Sequence, residues 1–164
     1  PINKNENINS YRKLEKLLES EKVKHIGISN YRINEINDIL DNTDIIPYVN
    51  QIEVHPLNIR TQLITHCKEN NIIVQSYCGL AKGTLTHNYL LQNISEKYKI
   101  SVAQLLLKWG LQQDIYQIPM TTNIEHLKEN INTMLLNVAI NNKDIEIISG
   151  MNKNYYFFTH YMDN

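Results

Sequence analysis

The sequence is poor in cysteine, glycine and proline: its 164 residues include two cysteines, five glycines and four prolines. Two cysteines, Cys67 and Cys78, are too few for the disulfide framework of a small secreted domain, and they favour a reducing compartment. No apolar run is long enough to span a bilayer, and the start of the sequence has no signal-peptide pattern. Together these absences predict a cytoplasmic protein that is not bound to a membrane.

An excess of charge of one sign is also lacking, since the formal net charge is −1. This balance excludes the strong electrostatic footprint of a nucleic-acid-binding protein. The six histidines show no metal-ligand spacing, so each is interpreted as a solvated or capping side chain and no metal site is predicted. With 42% apolar residues, the length predicts a single domain over residues 1–164 with a real core.

What the sequence does contain is a regular alternation of strand and helix patterns. Residues 1–8 are predicted as a polar loop before the first helix. Strands are predicted at residues 24–29, 48–54, 72–77 and 115–118, each followed by apolar residues at helical spacing. This order is typical of a parallel α/β sheet, with the strands side by side in chain order. Both doubly wound sheets and barrels fit it, although four strands are only half of a (β/α)8 barrel of about 250 residues.

The stretch Ile115–Asn130 is predicted as a strand, a polar turn and a helix. Pro119 ends the strand because it has no N–H to donate, and Asn123 can cap the helix that follows. The unpaired N–H groups at a helix N-terminus suit an anion such as phosphate. Taken alone, the stretch fits an ordinary βα loop with a polar cap better than an anion site.

Polar or reactive side chains gather where the predicted strands end. In parallel α/β folds ligands bind at that edge. Amide and hydroxyl groups beside the Tyr77 ring suit a flat, amide-bearing ring stacked on it. Each residue alone has a structural explanation as a cap or core group, but four such groups at one edge favour a ligand site. They are Ser29-Asn30, Gln51 with Glu53, Tyr77-Cys78 and Thr121-Thr122-Asn123.

Five segments, in order, resemble motifs of the aldo-keto reductases. Ile26-Gly27-Ile28-Ser29-Asn30-Tyr31 resembles Ile/Val-Gly-Val/Ile-Ser-Asn-Phe, and Asn50-Gln51-Ile52-Glu53-Val54-His55-Pro56 resembles Asn-Gln-x-Glu-x-His-Pro. Ser76-Tyr77-Cys78-Gly79-Leu80 is similar to Ala-Tyr-Ser-Pro-Leu. Ser101–Trp109 resembles the Ala-Gln-hydrophobic-Arg-Trp helix, and 118–130 resembles Ile-Pro-Lys-Ser followed by Glu-Asn. The resemblance covers nearly the whole chain.

The resemblance implies a TIM-barrel-type fold, of which this chain is the C-terminal half with four parallel βα units. It implies reduction of aldehydes or ketones with NADPH or NADH, and a small carbonyl compound as substrate. By resemblance, Ser29, Asn30 and Gln51 hold the nicotinamide carboxamide and Tyr77 stacks on that ring. Cys78 and Leu80 line the path of the pyrophosphate. The adenosine phosphate end meets Thr121, Thr122, Asn123 and His126, and the adenine meets Glu129 and Asn130.

The chain departs from the family pattern at three points. The family's catalytic tetrad of Asp, Tyr, Lys and His belongs to the other half of the barrel, so no catalytic residue is predicted here. Pro1 fits the proline of the family's His-Trp-Pro segment, and Tyr11 and Tyr31 are not substitutes for the tetrad tyrosine. The other two departures are substitutions: Met120 and His126 replace the cations that pair with the 2′-phosphate, and Cys78-Gly79 replaces Ser-Pro.

Three functional hypotheses remain open at this level. The first is the cofactor-binding half of an NAD(P)H-dependent reductase, inactive as an isolated segment. The second is a non-catalytic half-barrel that binds a nucleotide or a partner, and the third is an unrelated small α/β domain. The open strands at 23–29 and 115–118 predict either a homodimer formed through these edges or a chain that is prone to aggregation or partly molten.

Overall fold

The computed structural model describes residues 3–159, and the interpretation of Pro1 lies outside them. Among these residues it contains seven α-helices, four strands and a short 3-10 helix. The strands are β1 (Ile28–Ser29), β2 (Val49–Glu53), β3 (Ile73–Tyr77) and β4 (Ile115–Gln117). The helices are α1 (Lys4–Glu19), α2 (Ile33–Asn42), α3 (Thr61–Glu69), α4 (Tyr89–Tyr98), α5 (Val102–Leu111), α6 (Ile124–Leu135) and α7 (Asn142–Ser149), with the 3-10 helix at Ala81–Gly83.

The four strands form one parallel sheet in the order β1-β2-β3-β4. In the register of β1 and β2, Ile28 lies opposite Asn50 and Ser29 opposite Gln51. This order confirms the prediction of strands side by side in chain order and excludes a sheet with β4 between earlier strands. Among residues 3–159, no helix has the length and apolar character needed to cross a membrane.

The first strand is much shorter than predicted, because only Ile28 and Ser29 of residues 24–29 pair as a regular strand. Upstream of them, the carbonyl of Ile26 accepts a hydrogen bond from Tyr48 N at 2.8 Å. Gly27 explains the close approach of the chains here. A Cβ at this position would lie 2.8 Å from the carbonyl oxygen of Val49, so only glycine fits without a shift.

The predicted polar loop at residues 1–8 is wrong for the described part of it, since α1 begins at Lys4. Asn3 adopts an extended conformation and its side chain accepts a hydrogen bond from Glu6 N at 3.0 Å. This N-cap satisfies one of the unpaired N–H groups of the first turn. Asn7 and Ile8 are buried, so the helix has a packed face from its first turns.

The chain divides into two compact units, which within the described residues comprise 3–52 with 60–75, and 53–59 with 76–159. In the first unit, Tyr11, Ile36, Ile39 and Cys67 are buried. The Glu15 carboxylate accepts hydrogen bonds from the backbone N–H groups of Asp44 and Ile45, both at 2.9 Å. A single domain over residues 1–164 stays a prediction.

The second unit has its own core, built from α4, α5, β4 and α7. Leu91, Leu105, Ile115 and Ile148 are buried there. Trp109 is also buried, and its indole Nε1 donates to Ser149 Oγ at 3.0 Å.

A partly buried polar contact joins α4 to α7 in the second unit. The Asp144 carboxylate accepts from Lys97 Nζ and from the Tyr98 hydroxyl, both at 2.6 Å. The hydrogen bonds from Lys97 and Tyr98 hold the pKa of Asp144 below its usual range. The Tyr98 hydroxyl in turn accepts from Asn141 N at 3.0 Å, so it fixes the chain where α7 begins.

Candidate functional site

In the first unit the end of β1 is hydrogen-bonded to β2. The Ser29 hydroxyl donates to the carbonyl of Gln51 at 3.0 Å, and Asn30 N donates to the same oxygen at 2.9 Å. Asn30 has a φ of 60°, a left-handed conformation that asparagine tolerates better than most residues. The structure therefore brings Ser29, Asn30 and Gln51 together as one polar group.

Asn50 and Gln51, two successive residues of β2, differ in how far their side chains are buried. Gln51 is partly exposed and its Nε2 donates to Gln75 Oε1 at 2.6 Å. Asn50, one residue earlier, is fully buried, and its Nδ2 donates to the carbonyl of Tyr31 at 3.0 Å. Because successive residues of a strand face opposite sides, Asn50 ties β2 to the start of α2 while Gln51 remains accessible.

In the second unit a cavity of about 790 Å³ opens beside the end of β3. Its wall is predominantly apolar with a few polar groups, which is the usual character of a cofactor pocket. The following seven predicted site residues line it: Tyr77, Cys78, Leu80, Thr121, His126, Glu129 and Asn130. Thr122 and Asn123 were predicted with them but do not line the cavity.

Asn123 is the N-cap of α6. Its Oδ1 accepts from Glu125 N at 2.8 Å, and its own N–H donates to Thr121 Oγ at 3.0 Å. One of the N–H groups at this helix end is thus already used by the chain itself. The structure assigns Asn123 a capping position rather than a place in the cavity wall.

At positions 120 and 126 of the cavity wall, this chain has methionine and histidine instead of the cations expected near a 2′-phosphate. Met120 lines the cavity and is 86% exposed, and His126 lines it as well. Lys128, the lysine of α6, pairs with Glu125 at 2.8 Å.

Several lining residues were missed by sequence reasoning, chiefly Lys82, Ser101, Val102 and Phe158. The Phe158 ring meets the Tyr77 ring edge to face with 5.6 Å between centroids, and Lys82 Nζ lies 4.2 Å from the Phe158 centroid. The aromatic run 155–158 was visible in the sequence. The contact between Phe158 and Tyr77 could not be predicted, because no periodic pattern links residues some eighty positions apart.

A buried carboxylate holds this aromatic segment in place. Glu53 accepts from Phe157 N at 2.7 Å, from Phe158 N at 3.2 Å and from His55 Nε2 at 2.9 Å. Burial alone would raise the pKa of Glu53, but the hydrogen bonds from His55 and from the two backbone N–H groups outweigh it and lower the pKa. Glu53 is therefore a charged anchor for the chain that carries Phe158.

Cys78 begins the loop after β3 with a φ of 57°, in the left-handed region. It is partly buried, and burial together with the Glu53 charge raises the pKa of its thiol. The thiol is accordingly protonated at neutral pH and is a weak nucleophile.

The chain belongs to the aldo/keto reductase family, whose model matches residues 3–153. It is 33% identical over 144 residues to a glyoxal reductase of Bacillus subtilis, a match that covers 88% of this chain and 51% of the relative. It is 35% identical over 147 residues to aldose reductase C of Dictyostelium discoideum, covering 88% and 45%.

Solved structures show the same relationship. The aldo-keto reductase MGS-M4, from a deep-sea metagenome library of the Medee basin, superposes with a TM-score of 0.92 at 28% identity, covering 99% of this chain and 60% of that one. A variant of Gox0644 in complex with NADPH gives a TM-score of 0.84 at 30% identity, covering 89% and 53%. The expectation of a TIM-barrel-type fold is confirmed. The chain spans about half the length of the curated relatives it matches.

Proposed function

We propose that this chain is the cofactor-binding half of an NAD(P)H-dependent reductase of small aldehydes or ketones. The observation that carries the proposal is the cavity of the second unit, which gathers Tyr77, His126, Glu129 and Asn130 at positions matching the family motifs. Membership in a family of oxidoreductases supports it. The two free cysteines, Cys67 and Cys78, fit a reducing compartment such as the cytoplasm.

Each unit contributes its own groups to this proposal. In the first unit, Ser29, Asn30 and Gln51 present hydroxyl and amide groups suited to a carboxamide. In the second unit, the flat ring of Tyr77 offers a stacking surface, and the mainly apolar cavity excludes water from a bound ring.

The phosphate-bearing part of the cofactor is assigned to the loop after β3 and to the turn before α6. Cys78 and Leu80 border the pyrophosphate, and Glu129 and Asn130 face the adenine. Thr121 lies toward the adenosine phosphate, while its neighbours Thr122 and Asn123 support the turn from outside the cavity wall. The bound dinucleotide would supply the hydride. The residues of this chain bind and orient the cofactor, and none of them is assigned as the proton donor to the carbonyl oxygen.

Cofactor binding is the direct test of this proposal. Titration of purified 1–164 with NADPH and with NADH, followed by calorimetry, should give saturable binding. Tyr77→Ala should weaken it by at least about fivefold, since stacking of a ring on an aromatic side chain typically contributes roughly 1–3 kcal/mol. Tyr89→Ala is the matched control, because Tyr89 is 77% exposed on α4 and lies outside the cavity wall. Equal losses in both variants would contradict the assignment.

The isolated chain is expected not to turn over carbonyl substrates. It supplies binding groups but no assigned general acid, and such assistance is typically worth about 10²–10⁴-fold in rate. NADPH oxidation with a reactive aldehyde should stay at the level of a mock purification. Turnover above that level that Tyr77→Ala abolishes would show that the chain is catalytic by itself.

A non-catalytic binding module remains the alternative, and one observation favours it. α6 exposes a row of apolar side chains at helical spacing, Ile124, Leu127, Ile131, Met134 and Leu135, each at least 45% exposed. Exposed apolar surface of this kind marks interaction sites. A homodimer that covers this face or the open strand edges is part of this second proposal.

A further inference from the structure

A cluster of metal-ligating side chains lies in the second unit, at the edge of the cavity. One carboxylate oxygen of Glu53, one ring nitrogen of His55 and the Cys78 sulfur all lie within 4.8 Å of one another. Glu53 is 1% exposed and His55 is fully buried. Cys78 is only partly buried and lines the cavity, so solvent and small ions can reach the cluster from there.

We propose that Glu53, His55 and Cys78 form a binding site for a divalent zinc ion, with the fourth coordination position open to the cavity. A carboxylate, an imidazole and a thiolate are the three ligand types that zinc takes from proteins. The carboxylate and thiolate charges neutralise those of the ion, which offsets the cost of burying them. The proposal does not rest on the proposed reductase function.

The geometry of the cluster is close to that of a zinc site and needs a small adjustment. Tetrahedral ligands at zinc bond lengths lie about 3.3–3.6 Å from one another. The distance of 2.9 Å between Glu53 Oε1 and His55 Nε2 must open by a few tenths of an ångström. The Cys78 sulfur must approach the other two ligand atoms by up to roughly 1.5 Å, which its place at the start of a loop allows.

Hydrogen bonds from neighbouring backbone N–H groups already orient the Glu53 and Cys78 side chains. The N–H groups of Phe157 and Phe158 donate to the two oxygens of Glu53 at 2.7 and 3.2 Å, leaving lone pairs for an ion. The backbone N–H of Lys82 donates to the Cys78 sulfur and favours its thiolate. Outer contacts of this kind typically fix the ligands of metal sites.

The proton balance of binding is simple. An ionised carboxylate only accepts hydrogen bonds, so the proton between Glu53 and His55 is on Nε2. Zinc replaces it, and the ring proton moves to Nδ1, which has no hydrogen-bond partner among the described residues. The proton that the Cys78 thiol gives up goes to solvent for each ion bound, and nothing is oxidised or reduced.

The experiment uses purified 1–164 and Co²⁺ as a spectroscopic substitute for zinc. Binding should produce a thiolate-to-cobalt charge-transfer band that Zn²⁺ bleaches at one equivalent. Calorimetry in two buffers of different ionisation enthalpy should show that protons are released when Zn²⁺ binds. Zinc should also raise the melting temperature, because it binds the native state selectively.

Cys78→Ser is the decisive variant, since serine has nearly the same shape and meets the same strain at a φ of 57°. It should abolish the band and the zinc-dependent rise in melting temperature while the metal-free protein melts as before. Cys67→Ala is the matched control, because Cys67 is buried in the first unit and should leave the band intact.

His55→Gln should weaken zinc binding by more than the 10–100-fold that loss of an outer contact typically costs. An absent band in the unmodified protein, a band that survives Cys78→Ser, or one lost in Cys67→Ala would each overturn the proposal. NADPH titration of the same metal-free samples tests the reductase proposal separately. The zinc proposal can therefore fail while the reductase proposal is still tested, and the reverse also holds.

Discussion

Met120 is the residue at which this chain differs most consequentially from the motif it resembles. Its side chain is 86% exposed at the cavity, where the motif has a lysine. Lys128 is paired with Glu125 at 2.8 Å on the surface of α6. The cavity wall therefore offers a 2′-phosphate no ammonium group from either of these two positions.

Met120→Lys is predicted to shift cofactor preference toward NADPH. A charge-assisted hydrogen bond typically contributes roughly 1.5–3 kcal/mol, so the affinity for NADPH relative to NADH should rise about tenfold or more. Dissociation constants of both cofactors measure the ratio, with Lys128→Ala as the control that should leave it unchanged. A strong preference for NADPH already present in the unmodified chain, and surviving Lys128→Ala, would contradict the explanation.

The Tyr98 hydroxyl is predicted to matter for stability although its ring is not fully buried. Tyr98→Phe removes the bond to Asp144 at 2.6 Å and the one from Asn141 N at 3.0 Å. At about 0.5–1.5 kcal/mol per bond, the free energy of unfolding should fall by roughly 1–3 kcal/mol. Urea unfolding followed by circular dichroism measures the difference, and an unchanged midpoint would mean that solvent replaces both bonds.

Asp144 is predicted to make the free energy of unfolding depend on pH. Its folded-state pKa is lowered, so its contribution is fully present above the unfolded pKa of about 3.9 and is lost as the pH falls through the folded value. The difference in stability between the unmodified chain and Asp144→Asn should be constant near pH 7 and shrink below about pH 4. A difference that grows on acidification would reverse the assigned sign.

At the scale of elements, the packing of α5 on β4 depends on two glycines that flank one side chain. The amide of Gln117 lies where a Cβ on Gly110 of α5 or on Gly79 would be, so a side chain at either position would displace this amide. Gln117 Nε2 also donates to the carbonyl of Ile115 at 3.2 Å, which fixes the amide between them.

Gly110→Ala is predicted to destabilise the protein even though it lies in a helix. Alanine gains about 0.8–1.0 kcal/mol of helix propensity, but overpacking typically costs roughly 1–3 kcal/mol. Thermal unfolding should show a lower melting temperature, and Gly110→Ala combined with Gln117→Ala should recover part of the loss. A single variant more stable than the parent chain would show that the amide moves aside freely.

Elements with strong local signals were predictable from the sequence, and those that depend on pairing were not. Ser101 and Gln104 have the spacing of a capping box, which can be read in the sequence and begins α5, with Ser101 Oγ accepting from Gln104 N at 3.1 Å. β1 was predicted from its apolar residues, but its length is decided by which N–H and C=O groups reach β2. Asn3 carried a capping signal that the polar composition of residues 1–8 obscured.

The cavity wall could likewise be predicted from the sequence only in part. Tyr77, Thr121 and Asn130 belong to segments with recognisable motifs, so they could be found from the sequence. Phe158 reaches Tyr77 only because the buried Glu53 carboxylate binds the backbone of the C-terminal segment. The partners of a buried charge are set by the folded chain, and no spacing rule along the sequence gives them.

At the scale of the whole molecule, the exposed apolar face of α6 and the end strands β1 and β4 predict self-association. Ile131→Lys places a charge on a residue that is 56% exposed, so it should weaken association without disturbing the core. Sedimentation over a range of concentrations measures the effect, with Tyr89→Lys, far along the chain on α4, as the control. A monomer at all concentrations in the unmodified chain would rule the prediction out.

The buried indole of Trp109 has a practical consequence for spectroscopy. It is the only tryptophan in the sequence, and it lies in the second unit with its Nε1 bonded to Ser149. Excited at long wavelength, the protein should fluoresce from this one ring, with blue-shifted emission that moves to the red when α5 and α7 separate. Emission thus follows one unit while far-ultraviolet dichroism follows both, and coincidence of the two melting curves would show that both units unfold in a single transition.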